Sequence, residues 1–176
     1  RRDEGKTMRL AVPLSSHAQW QAPADRRDPI DLLVESDVGR MPELLPIRYG
    51  RMMQSPFVFY RGSAAIMAAD LATLPSTGIH VQACGDCHLI NFGSFATPER
   101  RQVIAINDFD ETLPAPWEWD IKRLATSFAV AGRSNGFTAA EAHEAAQTCA
   151  RSYRERMREF SKMGVLEIWY FSIDMD

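Results

Sequence analysis

Ile79-His80-Val81-Gln82-Ala83-Cys84-Gly85-Asp86-Cys87-His88-Leu89-Ile90-Asn91-Phe92-Gly93 opens as an alternating apolar segment and then breaks into a polar cluster. Arg101-Gln102-Val103-Ile104-Ala105-Ile106-Asn107-Asp108-Phe109-Asp110-Glu111 repeats that design. Alternation at period two predicts strands over 79–83 and 101–106. Polar side chains placed just past strand ends project into a crevice and not into a core. Outward from these two stretches the patterns are helical: 30–38, 46–53, 63–71, 117–132 and 138–161. Thr138 with Glu141 three positions on has the spacing of a capping box. The sum is an α+β fold, in which a small mixed or antiparallel sheet carries two polar loops and packs on helices.

The remaining segments set the organisation. Residues 1–28 are polar, carry Pro13 and Pro23, and show no sustained periodicity, which predicts an extended arm. The stretch 55–62, opened by Ser55-Pro56, reads as a turn leading into the helix at 63–71. The domain division expected is therefore 1–45, an N-terminal arm and short helix, and 46–176, the loop-bearing region. No repeat of solenoid period is present.

Of 176 residues, 45% are hydrophobic and 24% charged, a balance that fits one globular domain or a large piece of one. The formal net charge of -3 provides no basic field for a nucleic-acid backbone or an anionic membrane. Apolar runs such as 128–131 are far too short to span a bilayer, and the charged residues 1–6 have no apolar stretch behind them, unlike a secretory signal. Three cysteines, Cys84, Cys87 and Cys149, form no disulfide framework and suit a reducing cytoplasm.

The clusters 84–93 and 107–111 bring together the parts that phosphoryl transfer requires: a carboxylate to orient an attacking hydroxyl, and oxygen ligands to hold magnesium against phosphates. Other readings of the same residues stay open. Asp86, Asn91 and Asp108 are also residue types that cap strands and close Asx turns. Cys84-Gly85-Asp86-Cys87-His88 spells the haem-attachment pattern, and its cysteines also match half a zinc site or a redox pair. Arg48, Arg51 and Arg61 flank Phe57, Phe59 and Tyr60, either as snorkelling side chains on an apolar turn or as an anion clamp. Lys122 and Arg123 read as a solvated helix face or as an intrahelical pair with Asp120 and Glu118.

Gly85-Asp86-Cys87-His88-Leu89-Ile90-Asn91 resembles the G-D-x-H-x-x-N loop of aminoglycoside and choline phosphotransferases, the counterpart of the protein-kinase H-R-D-x-x-x-x-N loop. Asp108-Phe109-Asp110 is similar to the D-F-G or D-F-D metal site of those enzymes, and Trp119-Asp120-Ile121-Lys122-Arg123-Leu124-Ala125 to the helix whose Asp braces the catalytic loop. More closely, these strings together with Arg48-Tyr49-Gly50-Arg51-Met52 and Phe59-Tyr60-Arg61-Gly62 resemble the bacterial family called domain of unknown function 2252, over roughly the last three quarters of the chain. That family's name assigns no activity.

The kinase-like resemblance implies an arrangement like a protein-kinase C-terminal lobe, with ATP and magnesium as cofactors and an unknown small molecule as acceptor. Asp86 and His88 would be catalytic, Asn91, Asp108 and Asp110 would hold the metal, Asp120 would brace the loop, and Arg48, Arg51 and Arg61 would be anion contacts. Two departures qualify it. Cys84 stands where the kinase-like loop begins with His, and no G-x-G-x-x-G turn or V-A-I-K-like lysine is present. The resemblance places those nucleotide-holding elements after the catalytic loop, so the expectation is a fragment without its nucleotide lid. Two further classes follow from the departures: an inactive nucleotide-binding pseudoenzyme, and a metal-dependent hydrolase built on Asp86, Asp108 and Asp110.

Overall fold

A computed structural model describes residues 2–175 and divides into two compact units, one running to Gly85 with Thr112–Trp119 added, the other made of Asp86–Glu111 and Asp120–Asp176. The fold is α+β, with helices and two separate antiparallel sheets in place of the single expected sheet.

The first unit contains α1 (Arg2–Ala11), α2 (Pro29–Glu35), α3 (Leu45–Met52), α4 (Pro56–Arg61), α5 (Ala64–Leu71) and the strands β1 (His80–Ala83) and β4 (Leu113–Pro116). Helix α1 overturns the extended arm expected over 1–28. Its sequence has no wide apolar stripe; Asp3 and Glu4 in the first turn and Arg9 in the last complement the helix dipole, and Lys6 pairs with Asp3. The turn expected over 55–62 is also corrected, because Ser55 caps α4 by accepting from the Val58 N–H and Pro56 occupies the first helical position. Asp37 then ties this helical layer together, accepting from Arg48 at 3.1 Å and from the Tyr49 hydroxyl at 2.5 Å. Leu33, Met52, Leu71 and Ala83 are buried beneath it.

In β1–β4, His80 pairs with Pro116 and Ala83 with Leu113. The two prolines of β4 obscured this strand in the sequence, since proline donates nothing to a ladder and is accepted only at a sheet edge. The segment before β1 is fastened to the residues after β4. Thr77 donates from its N–H and hydroxyl to Glu118 Oε1, at 2.8 and 2.7 Å, and Trp117 Nε1 donates to Thr77 Oγ1 at 3.0 Å. Glu118 is accordingly buried, not part of a solvated helix face.

The second unit carries β2 (Phe92–Ala96), β3 (Gln102–Ile106), the short β5 (Ile173–Asp174), most of α6 (Glu118–Ser134), α7 (Ala139–Phe160) and α8 (Val165–Trp169). Its sheet has the order β2-β3-β5, with Phe92 opposite Ile106 and Ala96 opposite Gln102. The capping box at Thr138 forms as expected, with Glu141 returning the bond to the Thr138 N–H at 2.8 Å. Helices α6 and α7 meet through small residues. A β-carbon on buried Gly132 would stand 3.3 Å from the β-carbon of Ala142, which is 1% exposed. No helix among the described residues is long and apolar enough to cross a membrane.

Because α7 closes on α6 at that point, volume added there has nowhere to go. Ala142→Leu should destabilise the fold by about 1–3 kcal/mol through overpacking, whereas Ala139→Leu, on the exposed side of the same helix, should leave the urea midpoint nearly unchanged.

Candidate functional site

Gly85 starts the first polar loop in the left-handed region, at φ 79°, a backbone state that glycine adopts without steric cost. Within the second unit the chain then makes a tight turn, His88 N–H donating to the Asp86 carbonyl, and a short 3-10 segment, Leu89–Asn91, delivers it into β2. The second polar loop leaves the far end of β3. Asn107 N–H donates to the Asn91 carbonyl at 2.9 Å, so the β2–β3 ladder runs one step into both loops.

The Asn91 side chain joins them. Its Nδ2 donates to the Asp86 carbonyl at 3.0 Å and to the Asp108 carbonyl at 3.1 Å, while its Oδ1 accepts from the Asp108 N–H at 3.0 Å. Asn91 is 4% exposed, so a primary amide with two donors and a carbonyl meets every need of three facing backbone groups. Nearby, Gly93 allows the close approach of Asn107, whose side-chain amide would clash with any β-carbon placed there.

Asp86 is gripped from two sides. Arg123 donates to its Oδ1 through Nε at 2.8 Å and also through Nη2, and His88 Nε2 lies 3.3 Å from Oδ2. This corrects the solvated face expected for Arg123, which is 2% exposed. Four residues on along α6, fully buried Ser127 accepts the Leu89 N–H at 2.9 Å. Positions 123, 127 and 131 form one row on α6, and all three are buried. That i, i+4 row ends on Ala131 and was the available signal that Arg123 points inward. His88 is buried too, and among the described residues its Nδ1 has no hydrogen-bond partner.

The other expected site residues are placed as follows. Asp108 and Asp110 are exposed, and Asp108 Oδ1 accepts the Asp110 N–H at 3.0 Å in an Asx turn. Asp120 is half-buried in the first turns of α6. In the first unit, Arg48 is engaged by Asp37 and the Gly62 carbonyl, while Arg51 and Arg61 are exposed. Cys84 and Cys87 are buried, and neither forms a disulfide among the described residues.

Burial would raise the Asp86 carboxyl, but the His88 hydrogen bond and the Arg123 guanidinium outweigh it and hold the group below its ordinary value. A depressed folded-state value stabilises the protein above the unfolded aspartate pKa, about 3.9, and that contribution is lost as pH falls through the folded value. The stability difference between the wild type and Asp86→Asn should therefore shrink once pH drops below about 4. Chemical denaturation from about pH 5 downward measures it; a difference that grows as pH falls below about 4 contradicts the pairing.

Asp108 and Asp110 are hard oxygen donors of the kind magnesium takes when phosphates and water complete its octahedron. Among the described residues no group of three or more His, Cys, Asp or Glu side chains is arranged to hold a metal ion, so a cation here needs oxygens from a ligand. No curated protein and no solved structure matches the chain. A family model does match, over residues 40–176, and its description is "uncharacterized protein conserved in bacteria". With both acidic loops and the helix bearing Arg123 inside the matched region, the chain belongs to this bacterial family, DUF2252.

Proposed function

We propose that the protein is a metal-dependent phosphotransferase of the kinase-like type, moving the γ-phosphoryl group of ATP to a small hydroxyl- or amine-bearing acceptor. The observation that supports this most is the Asn91 amide, which binds the Asp86 loop and the Asp108 loop to one another in the second unit. An acceptor-orienting carboxylate and a metal-binding carboxylate must be held in fixed relation for this chemistry, since nearly all of its catalysis is positioning and charge neutralisation.

On this reading Asp86 orients the acceptor by taking a hydrogen bond from its hydroxyl. Magnesium would be held by Asp108 and Asp110, where it would neutralise phosphate oxygens. Asn91, buried and already accepting from the Asp108 N–H, serves as the fastening of that site. His88 and Arg123 hold the Asp86 carboxylate, and Asp120 belongs to the bracing helix. The same reading takes the second unit as the counterpart of part of a kinase-like C-terminal lobe.

Calorimetric titration of ATP with magnesium into the protein tests it. Asp108→Ala should weaken magnesium-dependent ATP binding by at least about tenfold, about 1.4 kcal/mol. Asp86→Ala should bind ATP as the wild type does, because its contact is with the acceptor. Unchanged binding in Asp108→Ala overturns the metal assignment, and magnesium-independent binding overturns the reading as a whole.

A further inference from the structure

Asp86 has four lone-pair directions on its carboxylate, and the surrounding residues take most of them. Both N–H groups that Arg123 contributes go to the same oxygen, Oδ1, which therefore has no direction left for a ligand. Oδ2 faces His88 Nε2 at 3.3 Å and keeps one direction open. The carboxylate is not sealed in, because the Asp86 side chain is 21% exposed while that of Arg123 is 2% exposed. A helix-borne guanidinium thus grips one oxygen of a loop carboxylate whose side chain is not fully buried.

We infer that Arg123 is the positioning residue for Asp86: its fork stops the carboxylate from rotating and leaves a single lone pair, on Oδ2, as the position at which an acceptor hydroxyl is oriented. The inference rests on the phosphotransferase reading for what meets Oδ2, and on geometry alone for the grip. Three features make the grip rigid. Arg123 is planar and presents its donors in fixed directions, unlike a lysine ammonium. It stands on the same row of α6 as Ser127, which holds the Leu89 N–H, so the helix clamps the loop at two points. Asn91 takes the Asp86 carbonyl, which fixes the backbone beneath the side chain.

A charge supplied merely for stability and a fork supplied for aim respond differently to lysine. Arg123→Lys keeps the charge beside Asp86 and loses the fork; Arg123→Met loses both. The first measurement is spectroscopic and needs no substrate. The Arg123 Nε–H proton should show a resolved, slowly exchanging resonance in nitrogen-edited spectra of the wild type. It should be retained in Ser127→Ala and lost or strongly displaced in Asp86→Asn. Fast exchange in the wild type, or indifference to Asp86→Asn, overturns the inference.

The second measurement is ADP release from magnesium ATP, with water and added ethanolamine as acceptors. Arg123→Lys and Arg123→Met should both lose about a hundredfold in kcat, the scale of a misplaced reacting group, with KM for ATP unchanged and the melting temperature of Arg123→Lys close to the wild type. In the Asp86→Asn background, Arg123→Met should cost nothing more, since it acts through Asp86. Restored turnover in Arg123→Lys, or additive losses in the double variant, overturns the positioning role. Absence of ADP release from the wild type, with the slow Nε–H resonance present and lost in Asp86→Asn, removes the phosphotransferase reading and supports the grip itself.

Discussion

Three hydrogen bonds from the Asn91 side chain are the constraint on which the candidate site depends. Each of the two loops contains backbone groups outside any ladder, so their association requires a neutral partner that donates and accepts at once. An amide does this: its two N–H groups face carbonyls of Asp86 and Asp108, and its oxygen faces the Asp108 N–H. An aspartate at this position would set a negative oxygen against two carbonyl oxygens. A leucine of similar volume would leave one donor and two acceptors without the partner they have here, and each of them that water cannot reach would cost about 1–3 kcal/mol.

Everything around the loops is arranged to keep that junction rigid. The β2–β3 ladder brings Asn91 opposite Asn107 and runs on by one bond past its own end. Gly93 leaves room for Asn107, and Gly85 lets the chain enter the first loop through a left-handed turn. From the other side α6 contributes Arg123 and Ser127 one helical turn apart, one to the carboxylate and one to the backbone of the same loop. An ion pair this buried adds little net stability on average, because desolvation offsets attraction. Its value lies in direction.

Much of this was legible in the residues. The alternation before each polar cluster marked β1 and β3, and the Thr138/Glu141 spacing marked the start of α7. The acidic clusters and Asn91 were recognisable from their order alone. What escaped has a physical reason in each instance. Helix α1 is short and mostly polar, so its few apolar residues do not stand out as a stripe. Strand β4 is half proline. Helix α4 was hidden in a turn-like Ser55-Pro56 that is equally a helix start. Arg123 looked solvated because a charged residue on a helix usually is, and only its place on a row with Ser127 and Ala131 pointed inward. The partners of Asn91 are backbone atoms, and no residue pattern encodes those.

Amide hydrogen exchange at Asp108 tests the central claim most directly, because that N–H lies in an exposed loop outside any ladder and donates to the Asn91 side chain. In the wild type it should exchange far more slowly than the neighbouring amide of Phe109. In Asn91→Ala it should exchange as fast as that amide does, while the amides of Val103 and Ile104 within β3 remain protected. An Asp108 amide that exchanges quickly in the wild type, or that stays slow in Asn91→Ala, would contradict the account.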